Sequence, residues 1–332
     1  MATLSVVNPT LLDLKKRLDP DGAIAKIVEM LNEQNEVLDD MGWVEGNLET
    51  GHRTTIRSGL PTPTWRKLYG GVQPTKSRTV QVTDNTGMLE AYAEVDKALA
   101  DLNGNTERFR MSEDAAHIEG MNQEMVSTLF YGNEGSEPEA FTGLAPRYND
   151  TTAENGDNII LGGGSGADNT SVWLVVWGEQ TVHGIIPKGS NTGLQMEDKG
   201  QVTVENIDGS NGRMEAYRTH YRWDTGLTVR DWRYVVRIPN IDISDLTKDA
   251  SAGADLIDLM TQALELVPSL NMGRAAFYMN RTVRSVLRRQ IVNKVASSTL
   301  TMDTVAGKRV MMFEEVPVRR CDAILNSESL VA

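Results

Sequence analysis

Apolar residues along this chain change period several times, and each change marks a different kind of segment. Near the N-terminus Leu11, Leu12 and Leu14 follow Pro9-Thr10, and Ile24, Ile27, Val28 and Leu31 recur at three- and four-residue spacing beyond Asp21-Gly22. That spacing predicts two helical segments within residues 1–45. Their apolar stripe is narrow for a core helix, so the region reads as an arm that docks on some other surface. Helical spacing then disappears. Residues 52–58 and 77–83 are rich in Thr, Val and Arg, and Pro61, Pro63, Gly70, Gly71 and Pro74 lie between them. This predicts a long, loose β-hairpin over 46–85. It has too few apolar residues for a core, and a two-stranded ribbon is marginal alone in water.

An Ala- and Glu-rich composition predicts a helix over 90–102, interrupted at Asn103-Gly104-Asn105. A longer helix is predicted over 112–131. Glu113 and Asp114 suit its positive end, Ile118, Met121, Met125, Val126 and Leu129 form its stripe, and Gly132-Asn133 stops it. The run GGGSG at 162–166 reads as a flexible loop before an apolar strand at 171–177, with a second strand at 181–187. Residues 213–223 and 227–239 flank Asp224-Thr225-Gly226, a hairpin signal. Helix and strand then alternate: an amphipathic helix over 254–267 stopped by Pro268, a strand at 275–279, and a helix from the Asn280 cap to about Ala296. Strands at 305–313 and 316–324 follow.

Length and composition narrow the classes. A chain of 332 residues, 40% hydrophobic, exceeds one typical domain and can bury a sizeable core. The longest wholly apolar run, 172–177, is far short of the ~20 residues of a membrane helix. With no apolar leader either, the protein is expected to be soluble and made in a cytoplasm. A single cysteine, Cys321, excludes an intrachain disulfide. The net charge of -13 argues against a dedicated nucleic-acid binder. That charge is sorted into blocks. Residues 51–83 carry Arg53, Arg57, Arg66, Lys67, Lys76 and Arg78 and no acid, whereas 90–137 carry a balance of -8 and 271–320 a balance of +7. The blocks read either as uneven solvated surface or as faces that meet between subunits.

Catalytic templates fail one by one. His52, His117, His183 and His220 are scattered, and none stands at metal-ligand spacing from another His or Cys. The 162–166 glycines lack the Lys-Ser/Thr of a phosphate loop, and Gly307-Lys308 is followed by Arg309. Ser165 has no G-x-S-x-G context. Asp208–Gly212 opens like a calcium loop but lacks the closing glutamate. Cys321 follows two arginines and has no evident base beside it. No enzyme activity and no cofactor are expected.

The element order, together with specific stretches, carries a resemblance. Met41-Gly42-Trp43-Val44-Glu45-Gly46-Asn47, GHRTTIRSGLPTPTWRKLYGGV at 51–72, SEDAAHIEGMNQEMVSTLFYGN at 112–133 and FTGLAPRYN at 141–149 resemble the major capsid proteins of short-tailed bacteriophages. The resemblance spans most of the chain in element order and is strongest over 41–149. It implies an α+β fold of the Hong Kong 97 type: an N-terminal arm (1–45), an extended β-hairpin loop (46–85), and a peripheral domain (86–157) with a spine helix at 112–131. An α/β axial domain (158–305) would follow, with the 213–239 hairpin possibly peripheral, and strands at 306–332 would return to the peripheral domain.

The implied function is self-assembly, as pentamers and hexamers, into an icosahedral shell around packaged double-stranded DNA. The DNA would be contacted non-specifically. A cement or decoration protein, a scaffolding protein and a portal are the further partners implied, in the virion and in the host cytoplasm during assembly. Some members cross-link a loop lysine to a neighbour. Lys67 and Lys76 lie in that segment, but no third, catalytic carboxylate is marked, so no cross-link is expected. Candidate intersubunit contacts are Arg53, Arg57, Arg66, Lys67 and Arg78 on the ribbon, and Glu113, Asp114, Glu119 and Glu124 on the long helix. Arg281, Arg284 and Arg288 complete the set; their helix would meet a neighbour's acids or packaged phosphate. Two other readings stay open: a bacterial nanocompartment shell of the same fold, and a β-rich hydrolase or sugar-binding protein using Trp173, Trp177, Trp223 and Trp232.

Overall fold

The structure, a computed structural model, describes residues 33, 35–104, 106–205, 212–247, 253–293, 300–305 and 308–332. The helices expected within 11–31, and most of the 208–212 segment that opens like a calcium loop, lie outside the described residues. In chain order the elements begin with α1 (Val37–Asp40), β1 (Trp43–Glu45), β2 (Gly51–Gly59), β3 (Arg78–Asp96), α2 (Lys97–Ala100) and α3 (Thr106–Tyr131). Then come β4 (Asn169–Trp177), β5 (Val182–Ile186), β6 (Gln195–Glu205), β7 (Arg213–Val229) and β8 (Val235–Asp242). The last are α4 (Leu256–Leu266), β9 (Arg274–Met279), α5 (Arg281–Asn293), β10 (Leu300–Val305), β11 (Lys308–Phe313) and β12 (Val316–Arg320). They form two compact units: Met1–Glu33, Met88–Met125 and Asn191–Asp224 in one, Gln34–Gly87, Val126–Ser190 and Thr225–Ala332 in the other. β3, α3 and β7 contribute residues to both.

The larger unit is built around β4, buried along its whole length. A strand covered on both faces needs apolar residues at every position rather than alternate ones, which is why 172–177 reads as an unbroken apolar run. β4 pairs antiparallel with β8 and β9 and parallel with β5. β9 pairs parallel with β12, β12 antiparallel with β11, and β11 with β10. On one face Val172, Leu174 and Val176 pack with Met260, Ala263 and Leu264 of α4 and Val283, Val286 and Leu287 of α5. On the other, Trp173 meets Phe130 and Tyr148 at ring-centroid distances of 5.9 and 6.2 Å. Asp255 and Asn280 cap α4 and α5, the Asn280 carboxamide oxygen accepting from the Thr282 amide at 3.0 Å.

In the smaller unit β6 and β7 pair antiparallel from Gln195↔Arg222 to Glu205↔Arg213. Ala93, Met121 and Tyr221 form one core cluster, with Leu89, Ala91, Leu194 and Trp223 around it. Val95, Leu99, Ala100 and Phe109 form another.

Several expectations are corrected. The helix expected over 90–102 is the second half of a 19-residue strand, followed by one α-helical turn at Lys97–Ala100 and a 3-10 turn at Leu102–Gly104. Leu89, Ala91, Ala93 and Val95 take the covered face while Glu90, Tyr92, Glu94 and Asp96 take the more open one. A period of two overrode the helix propensity of Ala and Glu. The long helix starts at Thr106 rather than Ser112 and ends, as expected, before Gly132.

The expected hairpin at Asp224-Thr225-Gly226 is not a turn. β7 runs straight through it, and β8 pairs with β4 instead. A Cβ on Gly226 would stand 2.7 Å from the Asn85 carbonyl oxygen, so this glycine serves a close backbone approach. Nor is 162–166 a free loop. The amides of Gly162 and Gly164 donate to the carbonyls of Pro239 and Asn240 at 2.8 and 2.7 Å, and the Gly166 amide reaches Asp242 Oδ2 at 3.1 Å. A Cβ at 166 would lie 2.1 Å from that oxygen. The single strand expected over 305–313 is a β10–β11 hairpin, and β6 was not foreseen.

Candidate assembly surfaces

The ribbon has a fixed root and a bare tip. β2 and β3 pair antiparallel from Gly51↔Asn85 to Gly59↔Arg78. At the root the Asn47 side chain bonds the Arg53 backbone in both directions at 2.8 Å. Asp84 is buried between the Thr228 hydroxyl and Arg147 Nη1, the latter at 2.8 Å, and Arg147 also donates to the carbonyls of Gly143 and Thr142 at 3.2 Å. Beyond Gly59 the picture reverses. Residues 60–77 are exposed throughout except for half-buried Gly70, and they include Leu60, Trp65, Leu68, Tyr69 and Val72. Trp65 and Tyr69 are fully exposed. Five large apolar side chains in one segment without cover are uncommon for a finished surface.

The root also holds a buried histidine. His183 on β5 faces the ring of His52 edge-on at 6.0 Å. Burial, helped by His52 and Arg230 and opposed by the Gly178 backbone and Asp84, lowers its pKa to about 4. Its folded pKa is below the unfolded 6.5, so the unfolded chain binds more protons between those values. The stability this gives is full above about pH 6.5 and is lost as pH falls towards 4, on the order of 3 kcal/mol in all. Denaturant titrations of the subunit at pH 7.5 and 4.5 should show that loss, and His183→Leu should remove most of the difference. An unchanged pH dependence in the variant would assign the acid lability elsewhere.

The ribbon's cations are as free as its apolar groups. Among the described residues Arg57, Arg66, Lys67, Lys76 and Arg78 make no ion pair, and the Arg53 side chain donates to the Thr83 hydroxyl, at 3.2 Å. The acids of the smaller unit are partly engaged at home. Glu94 pairs with Arg218 at 2.6 Å, and Glu90 lies 3.3 Å from His220 and 3.7 Å from Arg222. Glu119 accepts from the Gln123 amide at 2.8 Å and from the Glu33 backbone at 3.0 Å. Asp114 lies against the Tyr221 hydroxyl, whose pKa burial and that carboxylate both raise. Glu113 and exposed Glu124, with Glu90 and His117, line a 320 Å³ groove between α3 and β3. Of the four acids singled out from sequence, Glu124 is the most open.

The third group lies in the larger unit. Exposed Arg281 binds Asp322 through Nε and Nη2 at 3.1 and 2.8 Å, Arg284 is half-buried, and Arg288 is exposed. Sequence reasoning fixed on the ribbon's charges and passed over its aromatics, although Trp65 and Tyr69 inside a Pro/Gly-rich stretch were the available signal. It also missed a buried ion pair. Arg237 and Glu328, both almost wholly buried, meet at 2.8 Å. Trp173 and Trp177 are core residues, Trp177 Nε1 donating to the Tyr278 hydroxyl at 2.8 Å, which removes two of the four aromatics a sugar-binding reading needs.

A family model described as major capsid protein GP7 matches residues 19–332. Among solved structures, a chain of bacteriophage epsilon15, determined by cryo-EM and modelling, is 42% identical with a TM-score of 0.79, covering 100% of this chain and 99% of that one. The bacteriophage JBD30 capsid is 8% identical with a TM-score of 0.49, over 89% and 92%. The holo-SrpI encapsulin of Synechococcus elongatus PCC 7942 is 10% identical with a TM-score of 0.45, over 66% and 91%. No curated protein matches the sequence. The family model and the 42% relative, rather than the distant likenesses, carry the conclusion. The α+β, Hong Kong 97-like capsid fold expected from the sequence is present, and the chain is a phage major capsid protein of the virion. It belongs to the major capsid protein GP7 family.

Proposed function

We propose that this chain encloses double-stranded DNA in a shell of pentamers and hexamers and contributes no catalysis of its own. Residues 1–45 act as the arm, 46–85 as the extended loop, and 86–157 as the peripheral domain, its spine helix lengthened to begin at 106. Residues 158–305 form the axial domain and 306–332 return to the peripheral one. Assembly takes place in the host cytoplasm, with a portal and, where used, scaffolding and cement proteins. The observation that carries this reading is the ribbon. Its root is hydrogen-bonded into its own subunit, while residues 60–77 present apolar rings and cations with no cover. A closed symmetric shell supplies the same complementary patch to every ribbon.

Electron microscopy of the purified protein, co-expressed with its natural assembly partners, tests it. Uniform hollow particles that fill with DNA are expected. Particles loaded instead with protein cargo would favour a nanocompartment, and a stable monomer that never assembles would overturn the reading.

A further inference from the structure

Helix α5 carries charge where a helix least tolerates it. Arg281 and Arg284 sit in or beside its first turn, which contains no acid, so they oppose the macrodipole. The spacing of 281, 284 and 288 puts them on one face. That face is tied to the end of β12. Arg281 and Arg320 share the Asp322 carboxylate, at 2.8 and 2.6 Å, and the neighbouring Arg319 takes Asp40 through two bonds of 2.9 Å and Glu36 at 3.5 Å. Three carboxylates are thus committed to Arg281, Arg319 and Arg320. The Arg284 and Arg288 guanidiniums make no hydrogen bond or ion pair among the described residues. Arg284 is half-buried, and its pKa is lowered by desolvation and by the charges of Arg288, Arg320 and Arg319, with Glu36 acting the other way. The Arg284 guanidinium thus lies among three others, and the one carboxylate acting on it, Glu36, is already 3.5 Å from Arg319.

We infer that Arg284 and Arg288, backed by Arg319 and Arg320, form a binding site for the phosphodiester backbone of the enclosed DNA. The inference rests on the DNA-shell reading above and deepens it by naming the groups that meet the phosphates. A single carboxylate from a neighbouring copy would leave one of the two unpaired guanidiniums uncompensated. A duplex carries one negative charge per ~1.7 Å of axis and engages several guanidiniums at once. Binding of this kind reads no base edges, so it is independent of sequence.

The test measures binding of random-sequence duplex DNA to the purified full-length chain across a salt series. Arg284→Gln/Arg288→Gln should weaken binding and flatten the log–log salt slope by about 1.8, at about 0.9 for each phosphate no longer neutralised. Arg288→Gln alone, at an exposed position that leaves folding intact, should flatten it by about 0.9. Parent-like affinity and slope in both variants would overturn the site. So would parent-like DNA binding with failed assembly, which would give these arginines to a neighbour's carboxylates. A parent protein that assembles shells yet binds no DNA would instead remove the DNA-shell reading itself.

Discussion

Glu328→Ala is expected to cost the subunit about 3–5 kcal/mol, a large part of the ~5–15 kcal/mol that holds a domain folded. Glu328 accepts from Arg237, from the Ser171 hydroxyl and from the Tyr131 hydroxyl, all inside the larger unit. Arg237 in turn donates to the Tyr148 carbonyl at 2.8 Å and lies over the Trp173 ring, 5.0 Å from its centroid. Removing the carboxylate leaves a charge buried without compensation, which is what makes breaking such a pair so destabilising. Chemical denaturation of the purified subunit should show a much lower midpoint for Glu328→Ala. Arg237→Met/Glu328→Leu should recover most of the loss, because neither charge then remains to be desolvated. A Glu328→Ala midpoint within error of the parent would mean that the C-terminal segment is held by something else, such as the paired bonds between Asn240 and Val331.

Trp65→Ala/Tyr69→Ala is expected to abolish shell formation while leaving the subunit's own stability unchanged. Both rings are fully exposed, and surface changes of that kind usually move stability by under ~0.5 kcal/mol. Burying each ring against a neighbour is worth about 1.5–3 kcal/mol, and every ribbon in a shell would lose both. Reversing Arg53, Arg57 and Arg78 to glutamate should act more weakly, at about 0.2–1 kcal/mol per exposed pair. Its effect should also fade with added salt, as the Debye length falls from ~10 Å at 0.1 M to ~3 Å at 1 M. Light scattering and sedimentation across a salt series separate the two contributions. Assembly of the aromatic double variant at the parent's rate would show that the ribbon docks by backbone pairing or charge alone.

Periodic segments were legible in the sequence, and so was the family. The buried stripe of α4, the Asn280 cap, the unbroken run of β4 and the ribbon's paired strands all follow from local pattern. What local pattern hid was competition between signals. Ala and Glu at 90–96 favour helix, yet Leu89, Ala91, Ala93 and Val95 alternate, and packing on α3 and β7 decided for strand. Asp224-Thr225-Gly226 has turn chemistry, but the glycine is there because the Asn85 backbone comes close. The 162–166 glycines read as slack for the same reason, since their partners at 239–242 lie some eighty residues away in sequence. Arg237 and Glu328 stand 91 residues apart, and neither residue carries a local mark of burial. Of the candidate surfaces, the charges were readable from the chain. Which of them are already paired at home was not: Glu94, Asp114 and Glu119 look as available in sequence as Glu124 does.

The bare tip of the ribbon also bears on how long an unassembled subunit lasts. Between Leu60 and Ser77 no ladder of backbone bonds protects the chain, and Arg66, Lys67 and Lys76 offer trypsin-type cleavage points within it. Exposed loop tips of this kind are where proteolytic nicking concentrates. A neighbour lying over the tip would take those bonds out of reach. The intact length of the chain would then act as a clock: subunits that find a place in a shell should keep their ribbons longer than those left waiting.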